Sequence, residues 1–358
     1  ISFTILFFVM LSVLVSCYQS HKRELDLAYT LAESKPDSAL AFLNRINQGK
    51  LSDKDMAKYA LIYYMAQDKS GLDVDNDSLI RIAYDWYGEH QDDSLYASSL
   101  YYMGKYFLLN DSMEQAKACL EKSYSISDSL HNMNLKCLAL DKLIEVEEQL
   151  APYKALKYAK DLVKMYESMP NATIYNKVAA RLRLCDNFMF VDSLRQALCE
   201  GQIALKQVIK DADRNLYSFV CQDLANVYEK VGEKDSCLFY ARQAYGINGT
   251  DRLSSLLMLA SAYISVDSVE RAFAILKQAT PKTPEDRYSV FFMQSQAAMK
   301  TSNYMLAKTF GDSANSCLQD MYRSALQAKI NYYTSFLKKE SERAKMQGKA
   351  EMQRWVFG

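Results

Sequence analysis

A small residue followed three positions later by an aromatic recurs along this 358-residue chain, each time inside a longer run of apolar contact positions. Leu100, Met103, Gly104 and Phe107 lead to Ala116, Leu120 and Ser123. Cys221, Leu224, Ala225, Tyr228 and Gly232 lead to Cys237, Ala241 and Ala244. Leu256, Leu259, Ala260 and Tyr263 lead to Ala272, Leu276 and Ala279. The spacing within each run is that of one helix face. Gly or Ala at the crossing lets two helix backbones approach, and the ring fills the groove that the small side chain leaves. The later small residue then seats a second helix.

These positions resemble the tetratricopeptide (TPR) repeat, a helix–turn–helix unit of roughly 34 residues. The seats of the second helices are Ala39, Ala116, Ala155, Ala197, Cys237, Ala272 and Ala307. From Ala116 onward they are 39, 42, 40, 35 and 35 residues apart. The longer gap between Ala39 and Ala116 leaves room for a degenerate unit pairing Asp53–Asp68 with Asp77–Gln91. The expected fold is all-α: a right-handed TPR-like superhelical solenoid of about eight helix pairs with a long C-terminal helix. Each pair is amphipathic and cannot cover its apolar face alone, so neighbours must stack. Scarce Gly and Pro, with abundant Leu, Ala, Lys, Glu and Tyr, agree with a nearly all-helical chain. Lys plus Arg number 43 and Asp plus Glu 43, with no basic stripe interleaved with aromatics. That balance lacks the footprint phosphate binding requires, so no nucleic-acid partner is expected of this segment.

The chain divides into residues 1–17, a signal or lipoprotein segment; 18–317, the repeats; and 318–358, a long helix leading toward a membrane segment. Residues 1–16 are apolar, shorter than the ~20 a spanning helix needs, and end at Leu14-Val15-Ser16-Cys17. That ending looks like a bacterial lipobox, in which Cys17 is lipidated and the preceding peptide removed. An uncleaved anchor and a buried helix are the other readings. The lipobox reading makes the chain exported, membrane-anchored and periplasm-facing. Residues 338–354 form a charged helix without a broad apolar face, of the kind that bridges through solvent or enters a coiled coil. Arg354-Trp355-Val356-Phe357 then reads either as the start of a membrane-interface segment or as a frayed helix end.

Asp-Ser occurs at 37–38, 77–78, 93–94, 111–112, 128–129, 192–193, 235–236, 267–268 and 312–313. Most copies stand where a helix should begin, and both side chains accept hydrogen bonds from first-turn amides, so helix capping is the expected role. All but 235–236 precede Ala, Leu, Met or Val, which also resembles an Asp-Ser/Thr-aliphatic acceptor for bacterial O-glycosylation.

Chemistry-bearing residues form no constellation. Beyond Cys17 the cysteines are 119, 137, 185, 199, 221, 237 and 317, without Cys-x-x-Cys or zinc spacing. Cys185 and Cys237 fall where the frame wants a small residue, which predicts core packing. His21, His90 and His131 stand far apart in the sequence, which makes a His-based metal or triad site improbable. Gly71 to Asp77 resembles the start of a calcium loop but has Ser78 where Gly is required and Tyr84 where a bidentate Glu is required. No catalytic residue, metal or cofactor is expected.

In a TPR stack the first helices of successive pairs line a concave groove. The resemblance places ligand contacts at Tyr101 and Lys105; at Phe219, Gln222, Asn226, Glu229 and Lys230; at Leu257 and Ser261; and at Phe292 and Gln296. Asn226 matches a position whose amide clamps peptide backbone in the family, because an amide both donates and accepts. Residues 31–46, 57–87 and 98–124 also resemble bacterial TPR lipoproteins or membrane-tethered TPR regulators, members of which often carry a signalling output after the repeats. The resemblance implies a non-catalytic protein- or peptide-binding scaffold or sensor. Its membrane contact is the N-terminal lipid, with the C-terminal helix as a second contact. A glycan-binding TPR outer-membrane lipoprotein is the alternative. An α/α-toroid hydrolase, which needs an acidic pair at a cleft, is a third.

Overall fold

The computed structural model describes residues 22–72, 78–90, 93–211, 213–247 and 252–357, and among them every regular element is helical. The lipobox at Cys17 and the acidic loop at 73–77 lie outside the described residues. The chain forms two compact units, divided between Ala172 and Thr173. The first holds α1 (22–34), α2 (Pro36–Leu43), α3 (Asp53–Lys69), α4 (Ser78–His90), α5 (Asp93–Leu109), α6 (Met113–Ser129), α7 (Met133–Leu150) and α8 (Pro152–Ser168). The second holds α9 (Ile174–Phe190), α10 (Leu194–Asp211), α11 (Arg214–Val231), α12 (Lys234–Gly246), α13 (Arg252–Ser265), α14 (Val269–Leu276), α15 (Pro284–Lys300) and α16 (Tyr304–Phe357). Consecutive helices pair, and every seat residue lies on an even-numbered helix with its side chain buried.

One module recurs in five of the pairs. Counting from the small residue, an aromatic follows at +3, a left-handed backbone residue at +7 and the seat at +12. The sets are 104/107/111/116, 185/188/192/197, 225/228/232/237, 260/263/267/272 and 295/298/302/307, the last carrying Ala298 in place of the ring. Asp111, Asp192, Gly232, Asp267 and Ser302 all have φ between 52° and 86°. The amide after each one bonds the carbonyl at +3: Ser112 to Phe107, Ser193 to Phe188, Glu233 to Tyr228, Ser268 to Tyr263 and Asn303 to Ala298, at 2.8–3.1 Å. This six-to-one bond closes the first helix and aims the second back along it.

The crossings are as tight as the small residues imply. A Cβ added to Gly104 would lie 2.7 Å from Leu120 Cγ and 3.4 Å from the Ala116 carbonyl. Cys185 Sγ stands 3.3 Å from the Ala197 carbonyl, and Ser295 Oγ donates to that of Ala307 at 2.9 Å. Ala225 and Ala260 are fully buried. Gly201 on α10 makes a further close approach: a Cβ there would lie 2.7 Å from Leu224 Cδ2 on α11.

Where the serine of an Asp-Ser pair holds a described N-cap, it does not cap as expected. At 111–112, 192–193 and 267–268 the Asp is the left-handed residue that ends the first helix. Ser112 and Ser268 hold the N-cap positions of α6 and α14, yet neither side chain bonds the first turn. Their ψ values, 65° and 54°, point the short hydroxyl away from that turn. Ser52, Thr173 and Thr283 cap successfully from extended backbone with ψ near 160°. Asn132, at ψ 80°, reaches because its side chain is longer. The pair at 128–129 closes α6 and that at 312–313 lies inside α16.

Within each unit the backbones of the odd-numbered helices approach one another: α3 with α5 and α5 with α7, then α9 with α11, α11 with α13 and α13 with α15. The even-numbered helices show no comparable approach among the described residues; they reach each other through long side chains such as Phe273 and Phe310. A layer packed closely on one side and loosely on the other bends, so the odd helices form the inner face. In the first unit Glu147, almost fully buried on α7, accepts from Lys154 on α8 at 2.6 Å and meets Lys117 on α6 at 3.0 Å. Burial alone raises that carboxyl, but the two ammonium groups outweigh it and hold it below its ordinary value.

Candidate ligand groove

The inner face of the first unit is floored by tyrosines. Tyr102 stacks edge-on against Tyr64 at 5.8 Å and Tyr101 at 5.0 Å, and all three are buried. Burial, followed by the nearby carboxylates of Asp68, Asp141 and Glu145 and the Tyr166 phenol, pushes the Tyr101 phenol far up, so it stays neutral. Tyr101, which the repeat frame puts among the lining contacts, is 5% exposed and belongs to the groove floor. Lys105 does meet a carboxylate, but it is the chain's own Asp68 on α3. Lys58 pairs with Asp26 and Lys69 with Glu33 in the same manner, α3 to α1. Each ion pair joins equivalent faces of successive first helices and ties adjacent repeats together.

The inner face of the second unit carries the same ladder with uncharged donors, and it leaves a gap. Ser254 on α13 donates to Gln222 on α11 at 2.6 Å, and Ser261 donates to Glu229 two turns further on. Asn226 lies between these rungs, half-buried, and its side chain makes no hydrogen bond to any described residue. Phe219, 38% exposed, stands two turns before it. On α15, Phe292 is 45% exposed and stacks on Tyr288 at 5.9 Å, with Gln296 exposed one turn later. Leu257 is half-buried against Leu256, Ala260 and Leu276, and Lys230 is exposed at the end of α11. The groove therefore presents exposed rings together with the Asn226 and Gln296 amides, the first flanked by rungs on both sides.

Sequence reasoning missed the contribution of α9. Asp186 there faces Asp223 on α11, with Arg183 beside them. Burial, then the Asp186 charge, pushes the Asp223 carboxyl well above its ordinary value, with Arg183 pulling the other way. Carrying the repeat frame through Cys185 puts Asp186 at the place that Lys105, Asn226 and Ser261 occupy on their own helices, so the signal was present. The toroid reading asked for an acidic pair; this one has a cation beside it, and among the described residues no three His, Cys, Asp or Glu gather as metal ligands. The buried cysteines behave as packing, whereas Cys199 is exposed. Cys137, Cys185, Cys221 and Cys237 are buried, and burial lifts the Cys137, Cys221 and Cys237 thiols to about 11, far from thiolate reactivity at neutral pH.

The sequence matches no protein-family model and no curated protein. Solved structures do resemble it. One is a Rap protein complexed with competence and sporulation factor: 13% identity, TM-score 0.63, covering 92% of this chain and 98% of that one. A signal-transduction ATPase with a tetratricopeptide repeat sensor from Pyrococcus horikoshii aligns at 13% identity and TM-score 0.60, over 86% of this chain and 47% of that one. The apo quorum sensor NprR from B. thuringiensis aligns at 10% identity and TM-score 0.53, over 86% and 99%. At such identities the likeness is one of fold: the chain is an all-α, TPR-like helical solenoid.

Proposed function

We propose that this chain is a non-catalytic scaffold or sensor that binds a protein or peptide segment along the inner face of α11, α13 and α15. The observation that carries the reading is the Asn226 amide, open and half-buried between two satisfied rungs. A half-buried amide that bonds no neighbour keeps both its donor and its acceptor free for a ligand, and an extended backbone offers the partners for both. Phe219, Phe292 and Tyr288 supply apolar contact on either side. A resemblance to a quorum sensor and to a Rap protein complexed with competence and sporulation factor supports ligand sensing as the role of this fold.

A random dodecapeptide array probed with the labelled chain should yield binders. Asn226→Ala should weaken them about tenfold, the ~1.4 kcal/mol of a backbone-directed amide, with unchanged helicity. An array without binders, or binders indifferent to Asn226, removes the reading.

The same proposal places the chain at the bacterial envelope, exported and periplasm-facing, as the sensory part of a membrane-tethered regulator. The support is the apolar run ending at Cys17. Among the described residues no helix is long and apolar enough to cross a membrane. Incorporation of labelled palmitate that is lost in Cys17→Ala supports the tether; no incorporation into the wild type overturns it.

A further inference from the structure

Helix α16 runs unbroken from Tyr304 to Phe357, 54 residues, while its packing partner α15 holds 17. The face turned to α15 is built from Ala307, Gly311 and Ala314: the two alanines are 4% exposed, and a Cβ on Gly311 would rest 3.6 Å from Ser295 Oγ. The helices run antiparallel, with Ser295 level with Ala307 and Gly311. Since α15 begins at Pro284, it stops covering α16 at about residue 320.

The apolar seam does not stop there. Leu318, Tyr322, Leu326 and Ile330 continue it at a strict four-residue spacing, 46%, 74%, 50% and 49% exposed. Beside the row lies a concave strip lined by Leu318, Gln319, Tyr322, Arg323 and Leu326. A row at i, i+4, i+8 and i+12 is a helix ridge, and the strip is the groove next to it. Ridges of this type interlock with the same type on another helix, crossing near −50°. A helix draws most of its stability from packing, so a row of large apolar side chains left this exposed among the described residues marks an interface.

We propose that this row is a self-association site, occupied by α16 of a second copy of the chain. The seam is continuous with the α15–α16 interface, which already shows what this face accepts: another helix. The four-to-four geometry requires the same ridge on both partners, and a two-fold axis supplies it, setting Tyr322 and Leu326 of one copy against Leu326 and Tyr322 of the other. Charge does not oppose the pairing. Arg323 is compensated by Asp320 on its own helix at 3.5 Å, and the formal charge of the chain is zero. A single crossing is small beside the ~1,600 Å² of a standard interface, so dissociation is expected in the micromolar range.

Sedimentation velocity of the full chain, in density-matched detergent, from roughly one to a hundred micromolar provides the test. The expected result is a monomer–dimer equilibrium that Tyr322→Glu combined with Leu326→Glu abolishes. The exposed control Phe239→Glu on α12 should leave it intact. Below the dissociation range, where each is a monomer, melting temperature and helicity should be the same in all three proteins, because Tyr322 and Leu326 lie beyond the α15 contact. A wild type that stays monomeric, or an assembly that survives the double substitution, overturns the proposal.

Discussion

Asp192 holds backbone that L-residues avoid, at φ 56°, with Asp111 and Asp267 in the same state in other copies of the module. Left-handed backbone costs an ordinary residue ~1 kcal/mol, less for Asp, whose side chain bonds locally. Gly232 fills the equivalent place in the α11–α12 turn without that cost. Asp192→Gly should therefore raise the unfolding midpoint, by up to ~1 kcal/mol, and Gly232→Ala should lower it by a similar amount in the same denaturant titration. The Asp-Ser repeats were legible as helix boundaries and illegible as chemistry: the residue types predict a capping serine, but whether an N-cap hydroxyl reaches the first turn depends on ψ, which composition does not reveal.

Asp223 makes a second residue-scale statement. Its carboxyl titrates above the ordinary value because burial and Asp186 disfavour its charge. An acid whose pKa rises on folding gains protons on folding. Its contribution is therefore fully present below the unfolded value near 4 and is lost as pH rises through the raised one. With Arg183 unchanged, Asp223→Asn should melt above the wild type at pH 7, and the gap should close as pH falls toward 4. A gap that widens in acid contradicts the assignment.

Among elements, the crossings decide the packing. At Gly104 helix propensity and packing disagree in sign. Ala is worth up to ~1 kcal/mol over Gly in a helix interior, yet its Cβ would lie 2.7 Å from Leu120 Cγ, a branch point on a fully buried side chain. Overpacking of this kind costs about 1–3 kcal/mol, so Gly104→Ala should destabilise in chemical unfolding. Gly246, with open space around it, should respond to the same change with a gain. The small-plus-aromatic frame was readable because it records a distance between helix axes. The close approach at Gly201 was not, because it joins α10 to the following pair, outside the frame. Tyr101 misled for a related reason: frame position gives direction, while exposure depends on neighbours such as Tyr64 and Tyr102 that crowd the same face.

At the scale of the whole molecule, one module written five times explains why the helical architecture could be read from sequence, including the degenerate second pair, which forms as α3 and α4. The groove was legible only in part. The inner helices follow from the frame, but which inner side chains are already spoken for does not: Lys105, Gln222, Glu229 and Ser261 bond within the chain, while the side chains of Asn226, Lys230 and Gln296 bond no described residue. The two aromatic side chains Phe219 and Phe239 separate the inner face from the outer one directly. Phe239, on α12, is the more exposed at 55%, so exposure alone would favour it as a contact. A photoreactive benzoyl-phenylalanine placed at 219 or 239, irradiated with an array-selected peptide, should form an adduct from 219 and none from 239. An adduct from 239 with none from 219 would contradict a binding face built by the first helices.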